Sequence, residues 1–101
     1  MDNDNTIFIG NKEVTTYVYS VLMQANKGIS EIFLKARGRA ISKAVDVSQI
    51  VINKNLQDWK VDGVNIGTEE KDYDEDQIRE TPMLKGKKFR MSTIEIKLIK
   101  K

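Results

Sequence analysis

Up to Ile52 the apolar residues come in short continuous runs or at helical spacing, and from Trp59 onward they alternate. That change of period confines the chain to a mixed helix–sheet fold. Ile7-Phe8-Ile9, closed by Gly10, reads as a buried strand, and Ile32-Phe33-Leu34, following Ile29, as a second. Between them Val14, Tyr17, Val18, Val21, Leu22 and Ala25 keep the spacing of an amphipathic helix. Gly28 then supplies a stop, because glycine accepts the left-handed conformation. After Gly38 a helical pattern resumes, with Ile41, Ala44, Val45, Ser48 and Ile52 on one face.

In the alternating part, Trp59 and Val61 fall on odd positions and Val64 and Ile66 on even ones, with Gly63 between. A phase slip at a glycine predicts a β-bulge. Ile94, Ile96 and Leu98 face one way in the last strand, and Thr93, Glu95 and Lys97 the other. The order is therefore β-α-β-α-β-β in an α/β (α+β sandwich) fold: a mixed four-stranded sheet whose first two strands are parallel and whose last two form an antiparallel hairpin. Residues 1–101 form a single domain. The charged connection from about Glu69 to Gly86 is too long for a tight turn and is expected to project as a mobile arm. A chain of 101 residues buries only about 60% of its unfolded surface, which favours a homodimer.

Cysteine and histidine are both absent. This removes disulfides, thiolate and imidazole metal ligands, thiol nucleophiles and imidazole bases together. Neither catalytic residues, nor a metal, nor a cofactor are expected, and the chain reads as a binding protein rather than an enzyme. The start, MDNDNT, lacks the basic and apolar regions of a signal peptide, and no apolar run approaches a membrane span. The expectation is a cytoplasmic protein that makes no use of a membrane.

The net charge of +2 conceals a segregation: residues 27–54 carry +4, residues 69–80 carry −5 and residues 84–101 carry +6. Lys35, Arg37, Arg39 and Lys43 cluster where a strand ends, Gly38 turns and a helix begins. Free N–H groups at a helix start attract phosphate, and two guanidinium groups fork onto phosphate oxygens. Lys12, just past the Gly10 turn, adds a further cation. Lys85, Lys87, Lys88 and Arg90 lead from the arm into the final strand, and a basic ribbon of this kind fits a nucleic-acid groove. Asp72, Asp74 and Asp76 have the opening spacing of a calcium loop. Gln77 stands where that loop needs glycine and no glutamate closes it, so a solvated acidic tip is the better reading. Trp59 and Tyr17 read as packing residues, and the aromatics Trp59, Tyr17, Tyr19, Tyr73 and Phe89 form no evident stacking platform.

Ile9-Gly10-Asn11-Lys12, the run Lys35-Ala36-Arg37-Gly38-Arg39-Ala40-Ile41-Ser42-Lys43-Ala44-Val45-Asp46 and Met91-Ser92-Thr93-Ile94-Glu95-Ile96 together resemble the Alba family of small archaeal chromatin proteins. The resemblance runs from about Asn5 to Lys101. It implies a stable homodimer, associated with the nucleoid or chromosome, that grips double-stranded DNA or RNA with little sequence preference. In that family the Lys-Arg-Gly-Arg region meets the duplex backbone and two hairpin arms follow the minor groove. An RNA-directed role, as RNA chaperone or ribonucleoprotein subunit, is the alternative. Lys12, Lys35, Arg37, Arg39, Lys43 and Arg90 match family positions associated with nucleic acid.

Three departures accompany the match. Asn11-Lys12 replaces the two adjacent lysines of many relatives, which removes acetylation control at the first. Asn55-Leu56 stands where relatives carry an aromatic used in dimer–dimer packing. The arm is longer and more acidic than usual, which should oppose phosphate and suits a basic protein partner.

Overall fold

The computed structural model describes residues 5–101; the acidic start, residues 1–4, lies outside them. Strand β1 (Thr6–Phe8) leads to helix α1 (Val14–Asn26), strand β2 (Glu31–Arg37) and helix α2 (Ile41–Ile50). Strand β3 (Trp59–Asp72), a short helix α3 (Glu75–Glu80) and strand β4 (Lys88–Lys100) complete the chain. The sheet order is β1-β2-β4-β3, with β1 and β2 parallel and both other pairs antiparallel. α1 packs on α2, and α2 lies across β2 and β4.

Both helices cover the same side of the sheet. Ile32, Leu34 and Ala36 of β2 stand opposite Leu98, Ile96 and Ile94 of β4 and point into the core. There they meet Tyr17 and Val21 from α1 and Ala44, Val47 and Val51 from the second helical segment. Fully burying a Val, Leu or Ile contributes roughly 1.5–3 kcal/mol. Trp59 is buried as well, as the packing reading requires. Gly28 at φ 87° ends α1, and Gly38 at φ 59° turns the chain from β2 into α2. A Cβ on Gly38 would also come within 3.2 Å of Met91 Cε.

Two parts of the core differ from the sequence expectation. Ile7-Phe8-Ile9 is not uniformly buried: Ile7 and Ile9 are, whereas Phe8 is 73% exposed. Helices cover only one sheet face, so a three-residue apolar run must send its middle member outward. On α2 the buried face consists of Ala44, Val47, Ser48 and Val51, and Val45 is exposed. Ala44, Val47, Ser48 and Val51 keep the i, i+3, i+4, i+7 spacing of one helical face, and the helix carries on past Ile50 through one wide turn, closed by Leu56 N–H donating to Val51 O at 2.7 Å.

The expected bulge is present. Register slips between Val61 and Gly63, and Asp62 is the extra residue. Beyond it Val64 and Ile66 stand opposite Ile96 and Ile94, on the helix-bearing side but past the helices' reach, at 53% and 82% exposure.

The hairpin is longer and more regular than anticipated. Pairing runs out to Asp72 opposite Lys88, so the connection shrinks to residues 73–87. Glu70 and Asp72 are register partners of Arg90 and Lys88, and opposite charges directly across an antiparallel pair hold the strands together. The tip contains α3, which the sequence reading treated as loop. With the arm extended, the molecule measures 51 × 25 × 23 Å.

Candidate nucleic-acid interface

The site is built on the sheet face that carries no helix. Register places Phe8, Lys35, Glu95 and Asn65 in one row across all four strands, in the order β1, β2, β4, β3. The neighbouring row holds Arg37, Thr93 and Gly67. Arg39 follows in the tight turn Gly38–Ala40 that leads into α2, closed by Ile41 N–H donating to Gly38 O. Lys35, Arg37 and Arg39 line one open groove of about 940 Å3. The strand–turn–helix cluster expected from sequence is thus brought together for these three.

Their charges are not equally available. Lys35 Nζ lies 3.3 Å from Glu95 Oε2, and Arg37 Nη1 donates to Glu69 Oε1 at 3.0 Å. Arg39 has no ion pair among the described residues. All these groups are solvated, so the pairs are weak and open to exchange with an incoming anion.

Lys43 does something different from the role sequence suggested. Its Nζ donates to Gly10 O at 3.0 Å and to Lys12 O at 2.7 Å, tying the loop after β1 to α2. The Tyr17 hydroxyl holds the same loop, accepting from Gly10 N–H at 2.8 Å and Lys12 N–H at 3.1 Å. Burial pushes the Tyr17 phenol up, but the two N–H donors and the charges of Lys43 and Lys12 together bring it below its ordinary value. Sequence reasoning assigned Tyr17 to the core stripe and did not foresee its hydroxyl. No spacing signal identifies which loop a phenol will reach.

The arm cations are paired at its base and open toward its tip. Lys88 lies 3.1 Å from Asp72, and Arg90 3.9 Å from Glu70. Lys85 and Lys87 have no ion pair among the described residues, nor has Lys12. Tyr73 and Phe89 pack at the same level, ring centroids 4.9 Å apart. The three alternating aspartates do not converge: Asp72 faces Lys88, Asp76 faces Arg79, and Asp74 caps α3. No helix among the described residues is long and apolar enough to cross a membrane.

Residues 5–64 match the family model for Alba, which is more than half of the chain. The chain belongs to the Alba family. It is 43% identical over 96 residues to the DNA/RNA-binding protein Alba of Methanocella arvoryzae, spanning 95% of this chain and 90% of that relative. It is 49% identical over 72 residues to DNA/RNA-binding protein Alba 1 of Archaeoglobus fulgidus, spanning 71% of this chain and 81% of the other. Among solved structures, Alba from Thermoplasma volcanium superposes with a TM-score of 0.80 at 34% identity, covering 95% of this chain and all (100%) of that one. The Alba fold expected from sequence, a mixed four-stranded sheet with a protruding hairpin arm, is the fold observed, and the structure adds that both helices lie on one side of the sheet. The family model ends at residue 64, next to the bulge. The whole arm and all of β4 lie beyond it.

Proposed function

We propose that this Alba-family chain is a homodimeric, non-enzymatic chromatin protein that grips nucleic-acid backbone, double-stranded DNA or RNA, through the groove of Lys35, Arg37 and Arg39. One observation carries the reading: three cations, one of them unpaired among the described residues, line a single groove at the start of α2. The relatives' names, each a DNA/RNA-binding protein Alba, support it. Lys12 acts from the loop that Lys43 and Tyr17 hold in place. Lys85, Lys87, Lys88 and Arg90 extend the contact along the arm, which we take to be the part of this single domain that follows the duplex. Localisation to the chromosome within the cytoplasm follows from the same reading, and the acidic tip remains available to a basic protein partner.

Binding of this kind derives mainly from release of condensed counterions, so affinity falls with the logarithm of salt concentration by a slope of about 0.9 per phosphate contacted on DNA. Backbone contacts position the protein and carry no direct sequence information. The test is a titration of labelled duplex DNA and matched duplex RNA across a salt series. Arg37→Ala combined with Arg39→Ala should weaken binding to every sequence alike and reduce the slope by more than about 1 but less than about 2, because Arg37 is already paired with Glu69. Unchanged binding by the double variant would sink the clamp. A marked preference for RNA would place the protein in RNA metabolism instead.

A further inference from the structure

Phe8 has no structural task that accounts for its position. Its neighbours Ile7 and Ile9 enter the core, and strand geometry sends the ring to the helix-free face, where it is 73% exposed. It is not isolated in an apolar patch. Lys35 is its register partner, Arg37 lies one row further along, and Phe8 lines the same groove as Lys35, Arg37 and Arg39. Resting on the nucleic-acid reading above, we propose that Phe8 is a stacking platform for an unpaired nucleobase, which makes the groove a site for single-stranded nucleic acid.

The chemistry of the row fits that occupant. A base needs an apolar face to stack on, donors and acceptors at its edge, and cations for its phosphates. Phe8 supplies the first. Lys35, the register partner of Phe8, offers a donor at the edge of a base stacked there, while Asn65 and Thr93 line the groove two to three strands away, at about 4.8 Å per strand, where they would meet a neighbouring nucleotide. Lys35, Arg37 and Arg39 supply the third. Gly67 sits beside Thr93 in the second row, and a Cβ there would come within 3.1 Å of Thr93 Oγ1, so glycine keeps that part of the groove open. The volume of about 940 Å3 lies within the range of roughly 300–1,000 Å3 common to small-molecule pockets, large enough for one nucleotide.

A duplex cannot use Phe8 in this way, because its base faces are already stacked on one another. The ring therefore discriminates by strandedness, whereas the cations beside it do not. An apolar protein partner is the poorer fit, since Lys35, Glu95 and Arg37 would have to be buried around a single phenyl ring.

The experiment compares wild type with Phe8→Ala and Phe8→Tyr in anisotropy titrations at one salt concentration. The probes are labelled oligouridylate, oligothymidylate and a duplex of the same length. Phe8→Ala should weaken binding to both single strands by about tenfold, the scale of one base–aromatic stack, and leave duplex affinity unchanged. Phe8→Tyr should bind like wild type. In a Phe8→Trp variant, oligouridylate should quench the new indole, over a constant background from buried Trp59. Loss of equal size on duplex and single strands, or no loss on either, overturns the proposal. So does a change of oligomeric state in Phe8→Ala, which would assign the ring to contact between copies of the chain. Wild type that binds duplex but neither single strand refutes this inference alone. Wild type that binds none of the three refutes the nucleic-acid reading beneath it.

Discussion

The loop after β1 carries Lys12, and two side chains from elsewhere in the chain hold it: the Tyr17 hydroxyl accepts from two of its N–H groups and the Lys43 ammonium donates to two of its carbonyls. Tyr17→Phe removes the shared acceptor. We expect it to lower Tm by a few degrees and to weaken nucleic-acid binding through a looser Lys12. Because the folded phenol titrates below the ordinary value of 10.0, ionised Tyr17 is favoured by the fold. Its stabilising contribution is present above that ordinary value and is lost as pH falls through the folded pKa. The stability difference between wild type and Tyr17→Phe should therefore widen from neutral to alkaline pH; a difference that stays flat or narrows contradicts the assignment. At this scale the sequence was legible where a residue type carries its role with it, as at Gly28 and Gly38, whose positive φ angles turn the chain. Phe8 was hidden, since a three-residue apolar run does not say which faces of a sheet are covered.

Elements were more legible than residues. The change of period, the bulge at Gly63 and the alternation from Thr93 to Leu98 each follow from the two-residue repeat of a strand, and all three recur in the structure. The face of α2 was misjudged at one edge: Ala44 and Ser48 are buried and Ile41 and Ile52 pack against the core as expected, while Val47 and Val51 are buried in place of the exposed Val45. Helix α3 was missed although its start is written in the chain. Asp74 Oδ1 accepts from Gln77 N–H at 2.8 Å, and Gln77 Oε1 accepts from Asp74 N–H at 3.0 Å. This reciprocal cap is a sequence signature. Asp74→Ala should cost the tip about 1 kcal/mol. Hydrogen exchange should speed up in residues 75–80 while the global unfolding midpoint stays put, because no residue of α3 is buried. A global loss of stability would mean the tip packs on more than itself.

The whole molecule leaves apolar surface uncovered. Val64 and Ile66 extend the helix-bearing face beyond the helices, and Val45 adds an exposed side chain on α2. A second copy of the chain would cover such surface at little cost, which is the structural support for the proposed dimer. Ile66→Asp should shift the protein toward monomer in sedimentation at micromolar concentration, and unaltered assembly would place the interface elsewhere.

The arm gives the whole molecule a further property. Asp72, Glu70 and Glu69 already sit on Lys88, Arg90 and Arg37, each within 4 Å. When a phosphate displaces one of these carboxylates, the freed carboxylate takes up a sodium ion from solution and offsets one of those released from the duplex. The titration slope should therefore count fewer contacts than there are cations on the binding surface. On the proposed reading the arm should bind more gently than its lysines and arginines suggest, and should lose less of its grip as salt rises.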